Sequence, residues 1–240
     1  MLTWQLRLAC QFHSVSIMSI PVLTIDGPSG SGKGTIAAAV AEKLGWHILD
    51  SGALYRLAGY SADKKLIDFN QIEKLVDNTL NMDVGFEQGA VLLDGEDVSR
   101  EIRTETTGNL ASKIAVIPEI RAALLQWQRD YVKHPGLVAD GRDMGTVVFP
   151  QAEIKIFLDA SAEVRAKRRY KQLIEKGLNA NLADLVSEIQ ERDERDRNRS
   201  VAPLCAADDA VVIDSSAMTI PEVIKLVLDA DKSRLPDLKT

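Results

Sequence analysis

The chain has 240 residues, enough for one sizeable core or for one core carrying a smaller inserted lobe. Hydrophobic residues make up 45% and charged ones 27%, and no apolar run reaches the length of a membrane span, which excludes the disordered and helical-membrane classes. A net charge of -6 argues against a nucleic-acid polymer as partner, and two cysteines, Cys10 and Cys205, are too few for a four-ligand zinc site, so a reducing, cytoplasmic setting is expected.

The first seventeen residues contain a single formal charge, Arg7, and no small-residue cleavage pattern follows their apolar stretch. Met18 stands almost directly before a strong strand. It is therefore expected to be the functional start, with residues 1–17 a non-native or disordered extension; a short membrane-surface helix is the other reading.

Five short apolar runs then end in aspartate: Val22 to Asp26, Ile48 to Asp50, Leu137 to Asp140, Ile154 to Asp159 and Val211 to Asp214. Near-continuous hydrophobicity suits strands covered on both faces, and helix-like segments separate the runs, which predicts a doubly wound α/β fold with a parallel five-stranded sheet. Ligands of such sheets bind beyond the carboxyl ends of the strands, where these aspartates must lie. Between Asp50 and Asp140 there is more chain than one crossover needs. Residues 81–99 place Gly85, Gly89 and Gly95 between β-prone pieces, which predicts antiparallel hairpins within an inserted lobe, and a helical stretch over 120–133 leads back to the core. Within it Trp127 and Tyr131 stand four apart and are expected to pack on each other. A second departure, residues 162–199, reads as two charged helices around a Gly177-Leu178-Asn179 break.

Gly27-Pro28-Ser29-Gly30-Ser31-Gly32-Lys33-Gly34-Thr35 follows the first strand and precedes an amphipathic helical run. In that context glycines let successive backbone amides face phosphate oxygens, the helix start adds positive potential, and Lys33, expected at the surface of the loop, reaches the outer phosphates. Gly34 stands where such loops usually carry Ser or Thr, so the hydroxyl for a magnesium ion must come from Thr35 or be replaced by water. Asp140 reads either as a strand-end acceptor or as a carboxylate standing behind that ion.

A phosphate loop alone fits a switch, a motor or a kinase. Arg56, Arg121, Arg142, Arg168, Arg169, Arg192, Arg195 and Arg199 follow strand ends or fall in the second departure, as a site gathering several phosphates requires. Arg192, Asp196 and Arg199 are spaced for one helix face, although a solvated helix laced by i,i+4 ion pairs fits the same run. Ser51 and Ser112 could equally cap helices. His13, His47 and His134 show no metal spacing.

Three segments, Asp50 to Arg56, Asp140 to Pro150 and Arg192 to Arg199, together resemble bacterial-type cytidylate kinases, nucleoside-monophosphate kinases of the P-loop class, and the likeness runs from about Met18 to about Asp229. The resemblance implies phosphoryl transfer from ATP, with Mg2+, to CMP or dCMP; a monomer is expected. It implies that Ser51, Arg56 and Arg142 hold the acceptor phosphate, that Ser112, Arg121 and Asp143 read the pyrimidine, and that Arg192 and Asp196 contact the sugar. Lys33, Arg142, Arg169, Arg192 and Arg199 become the catalytic set. It divides the chain into core over 18–52, 120–161 and 200–240, a monophosphate-binding insertion over 53–119 and a helical lid over 162–199. Another small acceptor such as UMP or AMP, or a nucleotide-hydrolysing switch, are the alternatives.

Overall fold

The computed structural model describes residues 20–87, 90–175, 177 and 179–230. The expected extension over residues 1–17, with Cys10 and His13, lies outside the described residues, as does Leu178 of the expected break. The element order is β1 (Val22–Asp26), α1 (Lys33–Leu44), β2 (His47–Asp50), α2 (Ser51–Lys64), α3 (Ile72–Leu80), β3 (Val84–Glu87), β4 (Ala90–Leu93), β5 (Glu96–Asp97), α4 (Glu105–Ile114), α5 (Pro118–Asp130), β6 (Leu137–Gly141), β7 (Ile154–Asp159), α6 (Ala162–Glu175), α7 (Leu182–Arg197), β8 (Val211–Asp214) and α8 (Ile220–Asp229). All five apolar runs form one parallel sheet, ordered β2-β6-β1-β7-β8. The chain order reverses about β1, so the crevice beyond its carboxyl end is the place such a fold offers a ligand.

Side chains of successive strand residues alternate between two cores. Val22, Leu137 and Ala139 face one, shared with Leu54, Ile114, Ile120 and Leu124 of the helices on that side. Leu23, Ile25, Val138, Ile154 and Ile156 face the other, shared with Ile36 and Val40 of α1 and Val223 and Val227 of α8. Each such aliphatic side chain taken from water contributes about 1.5–3 kcal/mol, so the two cores fix the sheet against its helices on both sides. Covering on both faces holds for the three middle strands only: β8 lies at an edge, with Val211 43% and Val212 61% exposed. Apolar sequence alone does not distinguish an edge strand from a central one, because β-branched residues suit both.

The hairpins appear as a three-stranded antiparallel sheet, β3-β4-β5. It rests on α2, whose Ala53 and Leu57 join Val91, Leu93, Val98 and Ile102 in a third, smaller core. Trp127 stacks on Tyr131 with ring centroids 5.3 Å apart, and Phe86 of β3 meets both rings edge-on. The helix bearing them starts at Pro118 and not at Ile120, since proline suits the first helical turn, where its missing N–H has no partner to lose. No helix among the described residues is long and apolar enough to cross a membrane.

Candidate active site

The loop after β1 is held close against β7. At Gly27, φ is +149°, and a Cβ there would stand 2.1 Å from the Leu158 carbonyl oxygen, so only glycine lets the chain pass. Gly30 and Gly32 also take positive φ, of 79° and 96°, which turns the loop into the start of α1. Lys33 opens that helix but is not at the surface of the loop. It is only 6% exposed, and its Nζ donates to the Pro28 carbonyl oxygen at 2.9 Å. Burial, helped by nearby Arg142, pushes the Lys33 amine well below the usual lysine range, against the pull of Asp140, Asp26 and Asp50. Burial likewise pushes the Asp140 carboxyl up, with Lys33 opposing. Phosphate beside Lys33 would restore its full charge.

Two arginines of α6 grip the loop from outside. Arg165 donates from Nη1 to the Ser29 carbonyl at 3.0 Å and from Nε to the Ala160 carbonyl at 2.8 Å, while pairing in buried fashion with Asp193 of α7. Arg168 donates to the Ser31 carbonyl at 3.1 Å and to the Ser215 carbonyl at 2.7 Å. Each thus ties a loop carbonyl to α6. A cavity of about 580 Å³ opens there, bordered by the loop from Ser29 to Gly32, Thr35, Arg168, Arg169, Ser215 and Ile220.

A second cavity, of about 220 Å³, lies across Ser29, Gly30 and Lys33 from the first. Every acceptor-side residue expected from the sequence borders it: Ser51, Arg56, Ser112, Arg121, Arg142, Asp143, Arg192 and Asp196, with Arg199 beside them. Arg121 and Asp143 form a buried ion pair, and the Arg121 guanidinium sits 5.7 Å over the Tyr55 ring. Burial raises the Asp143 carboxyl above its ordinary range even though Arg121 and Arg199 pull it down. Arg56 donates to the carbonyls of Ile102 at 2.7 Å and Thr104 at 3.2 Å, which aims it between α2 and α4. Arg142 Nε donates to Asp196 at 3.2 Å, and Arg199 pairs with the same carboxylate. Burial pushes Asp196 up, but Arg142, Arg199 and Arg192 outweigh it and hold the carboxyl below its usual range. The Nε atoms of Arg192 and Arg199 and the Ser31 hydroxyl are buried without a hydrogen-bond partner. An orphaned buried donor costs about 1–3 kcal/mol, which is tolerable where an anionic ligand supplies the acceptor.

Several readings of individual residues change. Asp50, not Ser51, caps α2, accepting from the Ala53 amide at 3.0 Å, and Thr104 caps α4, so neither Ser51 nor Ser112 is a capping residue. The helix expected to carry Arg192, Asp196 and Arg199 on one face ends at Arg197; Arg199 lies past its end and folds back to Asp196. The solvated reading of the same helix holds for its other side, where Arg195 meets Glu191 at 3.9 Å. Arg169, expected near the transferring phosphoryl group, borders the larger cavity, in an exposed pair with Glu105. Gly27, Pro28 and Gly34 border neither. Of the strand-end aspartates, Asp26 builds the fold: its two carboxylate oxygens accept from the amides of Met144 and Gly145, each at 2.8 Å. Asp140 alone of the five faces the loop so closely that a Cβ on Gly34 would stand 3.3 Å from its Oδ2. That contact is a physical reason for glycine at position 34. Sequence reading gave no role to Arg165, Ser215 or Ile220, and counted Arg168 only among the arginines of a phosphate site; the Asp214-Ser215-Ser216 turn at the carboxyl edge of the sheet was the available signal for Ser215.

A glycine-and-lysine loop at the switch point of a parallel sheet, with one nucleotide-sized hollow on each side of it, defines a P-loop phosphotransferase. The sequence profile of the cytidylate kinase family matches residues 23–233, and the chain belongs to that family. The cytidylate kinase of Aeromonas salmonicida (strain A449) is 59% identical over 221 residues, 90% of this chain and 96% of that protein. That of Proteus mirabilis (strain HI4320) is 57% identical over 210 residues, 86% and 93% of the two chains. A solved structure of an uncharacterized protein from Eubacterium ventriosum ATCC 27560 superposes with a TM-score of 0.52 at 13% identity, covering 90% of this chain and 99% of that one, a likeness of fold alone.

Proposed function

We propose that this enzyme transfers the terminal phosphoryl group of ATP to CMP or dCMP, giving ADP and CDP or dCDP. The observation that carries the reading is the acceptor cavity, where the buried Arg121–Asp143 pair, four further arginines and Lys33 meet beside the loop that also borders the donor cavity. An acceptor phosphate oxygen attacks the γ-phosphorus, the new P–O bond forms as the bond to the β,γ-bridging oxygen breaks, and ADP keeps that electron pair. Little covalent work falls to the protein, because charge in the loose transition state is spread over the transferring oxygens. Lys33, Arg142, Arg169, Arg192 and Arg199 supply the positive charge, while Ser51, Arg56 and Arg142 hold the attacking phosphate.

The oxygen donors present fit magnesium. Thr35 borders the donor cavity, Asp140 stands against the loop at Gly34, and no cluster of three His, Cys, Asp or Glu among the described residues forms a metal cage. Mg2+ commonly takes one or two protein oxygens and otherwise waters and phosphates. Thr35 would hold it directly and Asp140 through water, and the ion would neutralise charge on the ATP phosphates. Residues 53–119 act in this reading as a monophosphate-binding lobe and 162–199 as a lid that excludes water, so that ATP is not hydrolysed. In this reading the enzyme works as a cytoplasmic monomer.

Base selection follows from hydrogen-bond polarity. Cytosine offers an amino donor at C4 and acceptors at N3 and O2, which Asp143 accepts from and Arg121 donates to; uracil reverses the pattern at C4 and N3. A mispaired buried edge costs up to roughly 10⁴-fold, and partial solvent access lowers the expectation to about 10²-fold. A panel of acceptors at fixed ATP tests this. CMP and dCMP should be good substrates, UMP about 10²-fold poorer in kcat/KM and AMP negligible; equal efficiency with UMP refutes the reading. A hydrolysing switch has no use for the second cavity and would release inorganic phosphate without any acceptor.

A further inference from the structure

Glu105 opens α4, and Arg169 lies in α6, 64 residues further on, yet their side chains form an ion pair. Both border the donor cavity, and both remain partly solvated, at 38% for Arg169 and 53% for Glu105. The same carboxylate acts electrostatically on Arg56 and Arg192, each of which borders both cavities. Glu105 therefore stands at the seam between donor and acceptor. An acid in the first turn of a helix is favourable in its own right, but that accounts for the carboxylate and not for the arginine of another element drawn to it.

We infer that Glu105 is a positioning residue that withholds Arg169 from the phosphates of ATP until an acceptor phosphate is bound. The inference rests on the reading of the two cavities given above. With ATP alone, Arg169 must leave Glu105, and the bared carboxylate then faces the nucleotide's own negative charge. When a monophosphate occupies the acceptor cavity, its dianion takes Arg56 and Arg192 as partners and repels Glu105 outward, so Arg169 is released at no such cost. The lid arginine becomes available when both substrates are present.

Calorimetric titration with the non-hydrolysable β,γ-imido analogue of ATP tests this in the full chain. Exposed ion pairs are worth little, so Glu105→Gln should lower the analogue's Kd by about three- to fivefold in the absence of CMP and leave it nearly unchanged at saturating CMP. Removing any carboxylate favours an anion, so the titration is repeated in an Arg169→Ala background, where only that general effect remains and Glu105→Gln should lower the Kd by a smaller factor that is the same with and without CMP. An unchanged Kd without CMP, an equal fall with and without CMP, or the same fall in the Arg169→Ala background would each overturn the inference. Phosphorylation of CMP by the unsubstituted enzyme reports separately on the functional reading, and a melting curve of each variant confirms that it is folded.

Discussion

At the scale of single residues, the acceptor site is built from side chains whose charges the fold has made expensive to leave unpaired. Arg121 and Asp143 are 8% and 3% exposed, so each is the other's main compensation until a base arrives. On the proposed reading Asp143→Ala removes the acceptor for the cytosine amino group, and it strands Arg121. The expected outcome is a CMP-to-UMP ratio of kcat/KM that narrows chiefly through loss of CMP turnover, together with a fall in stability of about 3–5 kcal/mol. Because both substrates are assayed on one preparation, loss of folded protein cancels from the ratio, and an unchanged ratio removes Asp143 from the role of base reader. Asp26 has a different task and a different signature. Burial pushes its carboxyl from 3.8 up to about 6 despite the two amides it accepts from. The folded state then holds this proton more tightly than the unfolded chain does. Its contribution to stability is full below about pH 4 and is lost as pH rises through 6, a swing of about 3 kcal/mol. Asp26→Asn lacks the second acceptor oxygen and should be less stable at pH 4, but with a flatter profile between pH 4 and 6. Urea denaturation across that range checks it, and parallel profiles would contradict the assignment.

At the scale of elements, what the sequence disclosed depended on whether local pattern or distant contact decides the feature. The five strands, their parallel arrangement and the hairpins were legible, because apolar runs, glycine spacing and the loop after Asp26 are local signals. That the eight residues expected on the acceptor side share one cavity was legible only through resemblance, since the strand order that makes neighbours of β2 and β6, and so of Ser51 and Asp143, is written in no local pattern. Illegible altogether was Arg165. Its neighbours in sequence mark a charged solvent-facing helix, and only the packing of α6 and α7 against the loop turns it inward to Asp193 and the Ser29 carbonyl. The edge position of β8 was hidden for the same reason. The Arg165–Asp193 pair carries an element-scale prediction, because it fastens both helices of the expected lid to the phosphate loop. Asp193→Ala leaves a buried guanidinium unpaired and should cost about 3–5 kcal/mol in urea denaturation, whereas adding Arg165→Met to it should recover most of that loss. Simple addition of the two effects would mean that the pair is not a unit.

At the scale of the whole molecule, the two cavities share a wall. Ser29, Gly30, Arg56 and Arg192 border both, so a ligand in either one settles charges that the other must also meet. Two phosphates brought to one set of arginines repel each other, which alone would make the substrates antagonise binding. On the proposed reading, closure of residues 53–119 and 162–199 over both, and release of Arg169 from Glu105, would act in the opposite sense by completing cation contacts that neither nucleotide obtains alone. The sign of the coupling therefore reports which effect wins. At a concentration of 100 Kd each ligand alone contributes about 2.7 kcal/mol, or a rise of roughly 5–10 °C in Tm for a chain of this size. With the β,γ-imido analogue of ATP and CMP added together, the rise in Tm should exceed the sum of the two separate rises. Scanning calorimetry at fixed magnesium reads this directly. A strictly additive rise would show that closure gains nothing over the phosphate repulsion, and a rise below the sum would show that the repulsion dominates at the wall the two sites have in common.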